Sequence, residues 1–235
     1  MIELLNIWKS YGETTVLKGI NLKVKKGDFI AIRGKSGAGK TTLLKIISLI
    51  EKPNKGEIKI FGRKANDLTD EEKSNLRLHN IGFIFQFFNL IPSLTVLENI
   101  ELPLALAGIK KRERRKRTRE LLEYFDLLHL AERFPETLSG GEKQRIAIIR
   151  ALVNKPKIIL ADEPTSSLDN ENTLLVIDLL TEINRDKKLT IILTTTDLYE
   201  KLPTTKDYIL KDGQLHTTPS VRTGSSQPIS RRAQV

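Results

Sequence analysis

Short apolar runs, each closed by polar or turn-forming residues, recur along this chain. Residues 2–8 (IELLNIW) and 16–24 (VLKGINLKV) read as strands, and Lys25-Lys26-Gly27-Asp28 reads as a tight turn. FIAIR (29–33) predicts a buried strand running directly into a glycine-rich segment, and TTLLKIISLI (41–50) predicts a helix ended by the Pro53–Gly56 stretch. EIKIFG (57–62) predicts a short alternating strand. A helix is expected to start near Thr69, where Thr69 and Glu72 stand at capping-box spacing. IGFIFQ (81–86), KIILADE (157–163) and LTIIL (189–193) predict further buried strands, with a helix over roughly 171–184 before the last. Residues 95–135 are helix-rich, and YILKDGQLH (208–216) predicts a closing hairpin around Asp212-Gly213.

Strands alternating with helices imply an α/β domain with a mainly parallel sheet. The helix-rich block at about 87–150 interrupts that alternation and suggests an inserted helical subdomain. The last residues, 217–235, are polar, rich in Pro, Ser and Arg, and aperiodic, so they are expected to be a disordered basic tail.

The candidate chemistry sits at strand ends. GKSGAGKT (Gly34, Lys35, Ser36, Gly37, Ala38, Gly39, Lys40, Thr41) matches G-x-x-x-x-G-K-[ST] at every fixed position, between a predicted strand and a predicted helix. Its glycines let backbone N–H groups turn inward, and the helix start adds positive potential. Lys40 would reach the β- and γ-phosphates of a nucleotide, the Thr41 hydroxyl would ligate Mg²⁺, and Thr42 lies close enough to meet an α-phosphate. KIILADE ends in two acids. Asp162 is placed to hold the Mg²⁺ shell, and Glu163 to polarise a water or, more plainly, to cap the turn before Pro164. In LSGGEKQR, Ser139 and Glu142 form a second capping box, and Gly140 and Gly141 strip side chains from that helix start, leaving an anion-binding N-terminus.

Composition changes this picture little. The chain has 235 residues, 39% of them apolar, enough for one large domain with an embedded subdomain. No stretch approaches the roughly 18–20 uninterrupted apolar residues that span a bilayer, and the N-terminus lacks the basic-then-apolar layout of a secretory signal. The absence of cysteine excludes disulfides and thiolate metal sites. The formal charge of +10 is concentrated in KKRERRKRTRE (110–120), with eight basic and two acidic residues, and in three arginines of the tail. The first reads as a solvated helix face, or as a surface for anionic lipid or an acidic partner.

With the phosphate loop, Gln86 after its strand, LSGGEKQR, LADEP and SSLD (166–169) in this order, the chain resembles the nucleotide-binding subunits of ABC transporters across residues 1–216. IGFIFQFFNLIPSLTVLENIELPL (81–104) is most similar to the branch serving lipoprotein-release, macrolide-export and peptide-export systems. The resemblance implies a P-loop NTPase core, an antiparallel β subdomain and an inserted helical subdomain. It also implies an ATPase that forms a head-to-tail homodimer around two ATP molecules. In each site Ser139 and Gly141 of one subunit would face the γ-phosphate held by the other. Tyr11 would stack on adenine, Gln86 would join Mg²⁺ or the attacking water, and Asp169 would link the two sites. On its residue alone Tyr11 reads rather as a surface or turn tyrosine, while Gln86 reads also as a polar strand end and Asp169 as a helix N-cap. A groove near Phe87–Leu94 would receive a membrane-spanning subunit, placing the protein in the cytoplasm on the inner face of the cell membrane.

One position departs from the family pattern. Relatives end a core strand with His-Asp, and alignment on Asp197 puts Thr196 at the histidine's place; His79, His129 and His216 cannot fill it. Threonine offers one hydrogen bond but cannot carry charge near neutrality. The expectation is intact ATP binding with attenuated hydrolysis, or in the limit an ATP-dependent dimerisation switch. A soluble ATPase acting on nucleic acid is the third reading; the charge prompts it, and a single nucleotide-binding domain without a long heptad insert argues against it.

Overall fold

A computed structural model of the chain describes residues 1–199 and 201–218. Among the described residues, ten strands and six α-helices form two sheets and a helical block. The small sheet comprises β1 (Ile2–Tyr11), β2 (Thr14–Val24), β4 (Lys55–Ile60) and β5 (Arg63–Lys64), in the order β2-β1-β4-β5 with antiparallel pairing. The large sheet runs β10 (Gln214–Thr217), β9 (Lys206–Lys211), β3 (Phe29–Arg33), β8 (Thr190–Thr195), β7 (Ile158–Asp162) and β6 (Ile81–Ile84). It is parallel except for β10, which forms the hairpin around Asp212-Gly213.

The central strands explain the unbroken apolar runs. Every residue of β3, β7 and β8 is buried, because helices or the second sheet cover both faces of a parallel sheet. On one face α1 (Lys40–Ile47) and the small sheet share a core that includes Ile30, Ile32, Leu43 and Leu44. On the other, α5 (Gly140–Leu152) and α6 (Asn170–Lys187) pack on Phe29, Ile159 and Ile191. Full burial of each such side chain contributes about 1.5–3 kcal/mol. A third core belongs to the helical block, with Leu97 and Ile100 of α3 (Val96–Leu106), Leu122 of α4 (Lys111–Tyr124) and Ile149 of α5. The antiparallel sheet, parallel core and helical insertion are thus all present.

Several boundaries differ from the sequence reading. The helix expected over 41–50 stops at Ile47, because Ser48 caps it and Leu49 adopts a left-handed φ of 61°. β6 ends at Ile84, two residues before Gln86, and β7 ends at Asp162, before Glu163. The expected tail begins late: Thr217 pairs in β10, and the Thr218 amide and hydroxyl both donate to the carbonyl of Asp207 (3.0 Å each). The rest of that predicted disordered segment lies outside the described residues. The basic run forms the outer face of α4. Arg115 sits 3.1 Å from the buried carboxylate of Glu101 and Arg119 3.5 Å from Glu132, while Thr118 and Leu122 point inward. Among the described residues no helix is long and apolar enough to cross a membrane.

Candidate functional site

β3 delivers the chain into residues 34–41 at the C-terminal ends of the large sheet's parallel strands. The Gly34 amide donates to the carbonyl of Thr195, at the end of β8, over 3.1 Å. Among the described residues, Ala38 is the sole residue from Lys35 to Thr42 whose amide donates to another protein group, the carbonyl of Lys35 (3.1 Å). The other amides of the loop stay available to a ligand. Gly39 begins α1 at φ 99°, where a Cβ would also come within 2.7 Å of Val16 Cγ1, so the turn requires glycine. No side chain caps α1 and no acid lies in its first turn, which leaves the helix start electropositive.

Lys40 is buried. Its ammonium donates to the carbonyls of Gly34 (2.8 Å) and Lys35 (3.1 Å) and lies 3.0 Å from Glu163 Oε1. Lys35, Ser36 and Gly37 are exposed at the crest of the loop, Thr41 is exposed on the first helical turn, and Thr42 is half-buried behind it. Asp162 and Glu163 are arranged by a residue that sequence reasoning passed over. Thr194, opposite Asp162 in the parallel β7–β8 register, donates its hydroxyl to Asp162 Oδ1 (2.7 Å) and accepts the Glu163 amide (3.0 Å). Glu163 itself has a φ of 46°, and this left-handed turn takes it out of the strand. Such a conformation costs a non-glycine residue about 1–3 kcal/mol.

Gln86 is half-buried in the turn after β6, and its carbonyl accepts a 3.4 Å hydrogen bond from Ser167 in the SSLD segment. Thr196 is the first residue beyond β8 and is exposed. Tyr11 is anchored at one end: its hydroxyl donates to Glu51 Oε1 (2.6 Å), while the ring keeps 48% exposure with the Lys9 ammonium 5.0 Å from its centroid. Desolvation of the hydroxyl, reinforced by Glu51, pushes the phenol pKa up.

The LSGGE segment forms the expected cap. Ser139 Oγ accepts the Glu142 amide (3.3 Å), and Glu142 Oε2 accepts the Ser139 amide (2.7 Å). That backbone donor holds the Glu142 carboxyl below its usual range. Gly140 lies beside Leu168, and a Cβ on Gly141 would overlap the Asn172 side chain. Asp169 caps α6 through the Asn172 amide (2.8 Å) and also takes the Asn172 Nδ2 donor (3.0 Å to each oxygen). Gly140 and Gly141 are therefore packed directly against Leu168 and Asn172. Among the described residues no hydrogen bond or ion pair joins residues 139–142 to the phosphate loop of the same chain.

Beyond Gln86 the chain is fixed by two further residues that the sequence did not single out. The Arg150 guanidinium, at the end of α5, donates to the carbonyls of Phe88 (2.8 Å) and Asn89 (2.6 Å). The buried Asn99 accepts the Ile91 amide and donates to carbonyls of the 91–95 turn. Beside this loop lies a groove of about 410 Å³, lined by Phe85, Asn89, Ile91 and Leu106, with Phe87 70% exposed next to it.

A buried lysine in a glycine-rich strand-to-helix loop, facing an Asp-Glu pair at the tip of a parallel strand, defines a P-loop nucleoside triphosphatase. A family model described as ABC transporter matches residues 17–166. The chain belongs to that family: it is an ABC transporter ATP-binding subunit, an ATPase. It is 43% identical over 197 residues to the lipoprotein-releasing system ATP-binding protein LolD of Bacteroides thetaiotaomicron, covering 84% of this chain and 90% of LolD. It is 41% identical to ABC transporter H family member 2 of Dictyostelium discoideum, over 97% of this chain but only 45% of that longer protein. Its fold is similar to the dimeric post-hydrolysis structure of the ATP-binding cassette MJ0796 of Methanocaldococcus jannaschii bound to ADP and Pi. The TM-score is 0.84 at 43% identity, over 92% of this chain and 96% of the other.

Proposed function

We propose that two copies of this chain close head to tail on two ATP molecules and that the closing and opening drive a separate membrane-spanning subunit from the cytoplasmic face of the membrane. The observation that carries this reading is the split site. The phosphate loop offers free amides, a buried lysine and two acids, whereas the Ser139–Glu142 helix start packs on Asn172, with no hydrogen bond or ion pair to that loop among the described residues. A second copy would bring that helix start, with Ser139 and Gly141, to the γ-phosphate. The dimeric MJ0796 cassette with ADP and Pi supports this arrangement.

Within each site, the loop amides from Lys35 to Thr42 cradle the phosphates and Tyr11 receives the adenine on its open face. A γ-phosphate gives Lys40 a stronger charge partner than Glu163, so substrate binding would release Glu163 to orient or deprotonate the attacking water. The Thr41 hydroxyl and Asp162 suit Mg²⁺, which is held through one or two carboxylates plus substrate phosphates rather than by a full protein cage. No group of three or more His, Cys, Asp or Glu side chains competes for it among the described residues. Once bound, Mg²⁺ would neutralise charge on the β- and γ-oxygens. Gln86 completes the water side, and Asp169 ties the LSGGE segment to the facing site. The groove beside Phe87 and Leu106 accepts an apolar helix of the membrane subunit.

Thr196 sets the rate. A short hydroxyl in place of an ionisable, longer group costs on the order of 10²–10³ in turnover, by analogy with loss of one oxyanion donor. Its presence also favours the second reading, a dimerisation switch with slow turnover. Steady-state ATPase assays of the parent and Thr196→His decide the point: the histidine variant is expected to be faster, and equal rates would refute attenuation. Light scattering of Glu163→Gln with saturating Mg²⁺ and ATP tests the sandwich, which fails if the protein stays monomeric. Acidic neighbours already engage Arg115 and Arg119, so nucleic-acid binding with a steep salt dependence is not expected.

A further inference from the structure

We propose that Arg33 is a positioning residue that sets the distance between the phosphate loop and Thr196; this rests on the reading that Thr196 meets the γ-phosphate. Arg33 is the last residue of β3 and is followed directly by Gly34. It is only 4% exposed in a strand whose other members are apolar. A buried ion pair adds little net stability over an apolar residue of similar size, so a role in fixing geometry is the better account of a guanidinium here.

That geometry is specific. Nε and Nη2 both donate to Asp207 Oδ2 (2.9 and 2.8 Å), while Nη1 donates to the carbonyl of Asp197 (3.0 Å). Asp207 lies on β9 and Asp197 just beyond β8, the two strands that flank β3. The planar fork thus spans the tip of β3 from one neighbour to the loop after the other. Asp207 is itself held, since its second carboxylate oxygen accepts from the Thr204 hydroxyl.

Thr196 is therefore held on both sides by the end of β3. On one side, Thr195 is the register partner of Arg33 in the β3–β8 ladder, and its carbonyl takes the Gly34 amide. On the other, Asp197 is fastened by the Arg33 side chain, and its own amide donates to Thr195 Oγ1 (3.1 Å). A threonine reaches only as far as its Oγ, so its backbone must be placed closely for one hydrogen bond to form. A misplacement near 1 Å costs about 10²-fold in rate. The rigid strut and the short side chain suit each other.

The test uses Arg33→Met, which keeps length in an apolar strand and removes every donor, and Arg33→Lys, which keeps the charge without the fork. Hydrogen exchange at the Asp197 and Tyr199 amides is expected to quicken about tenfold in Arg33→Met, with protection retained across the rest of β3 and β8. The Kd for ATP should stay within about threefold while kcat falls at least about tenfold, and Arg33→Lys should recover part of that loss. In a Thr196→Ala background the effect of Arg33→Met on kcat should disappear. Unchanged exchange at Asp197, protection lost throughout both strands, or an equal kcat loss in both backgrounds overturns the strut. If Thr196→Ala alone leaves kcat unchanged, the assignment of Thr196 fails instead, and the exchange result still decides whether Arg33 holds the loop.

Discussion

Thr194→Val tests how the acidic pair is held. Valine has nearly the shape of threonine, so the wholly buried site keeps its packing while the hydroxyl is lost. Two interactions go with it: the 2.7 Å bond to the Asp162 carboxylate and the 3.0 Å bond from the Glu163 amide. The second has a substitute, because the same amide already reaches the Thr194 carbonyl at 3.2 Å. The first does not, and a hydrogen bond to a charged group contributes about 1.5–3 kcal/mol. We expect Thr194→Val to lower unfolding free energy by that amount in urea titrations. Thr194→Ser, which keeps the hydroxyl and loses one methyl, should cost only about 0.8 kcal/mol. If Asp162 holds Mg²⁺, losing the group that orients it should also weaken metal affinity by about 10–100-fold, read as the Mg²⁺ concentration for half-maximal ATPase. A valine variant as stable and as metal-sensitive as the parent, or a serine variant equally impaired, would refute the argument.

Gly141→Ala should destabilise the chain by about 1–3 kcal/mol in urea, because the new methyl must expel Asn172 from its carboxylate partner Asp169. Adding Asn172→Ala should restore part of the loss, and strict additivity would be evidence against the clash. The Glu142 cap is pH-linked. Its carboxyl sits below the ordinary 4.5 in the folded chain, so its contribution is complete above that value and vanishes as pH falls through the folded-state pKa. The Tm difference between parent and Glu142→Ala should accordingly shrink in acid, and a gap that persists at low pH would count against the cap. Tyr11→Phe should hold ATP as the parent does, whereas Tyr11→Ala should bind about tenfold more weakly if the ring is the adenine platform. Equal Kd values would remove Tyr11 from the site.

How much of this could be read from the sequence depends on the reach of each interaction. Caps are local: Thr69 with Glu72 and Ser139 with Glu142 are three residues apart, and both form as spaced. The phosphate loop is legible for the same reason, since its glycines and Lys40 act within eight residues of one another. Thr194 was hidden because its partner Asp162 is 32 residues away and is brought opposite only by parallel register. Arg150 and Asn99 satisfy loop backbone at a distance, and no pattern along the chain marks that. Arg33 did leave a trace, as a charge closing an otherwise apolar strand. The strand before Gln86 was overrun because apolar Phe85 follows the end of β6, and the one before Glu163 because its left-handed turn has no compositional signal.

Helix α5 has a mechanical consequence. Ser139 caps its start at Gly140 and Gly141, and Arg150, near its end, grips the Phe88 and Asn89 carbonyls next to the groove proposed to receive the membrane subunit. Thirteen residues make a rod roughly 20 Å long, without a proline to let it bend. A push on the membrane side and a pull on the nucleotide side would act on opposite ends of one stiff connecting rod. Force applied at either end would have to move the other, and Arg150 is the pin at which that linkage could be uncoupled.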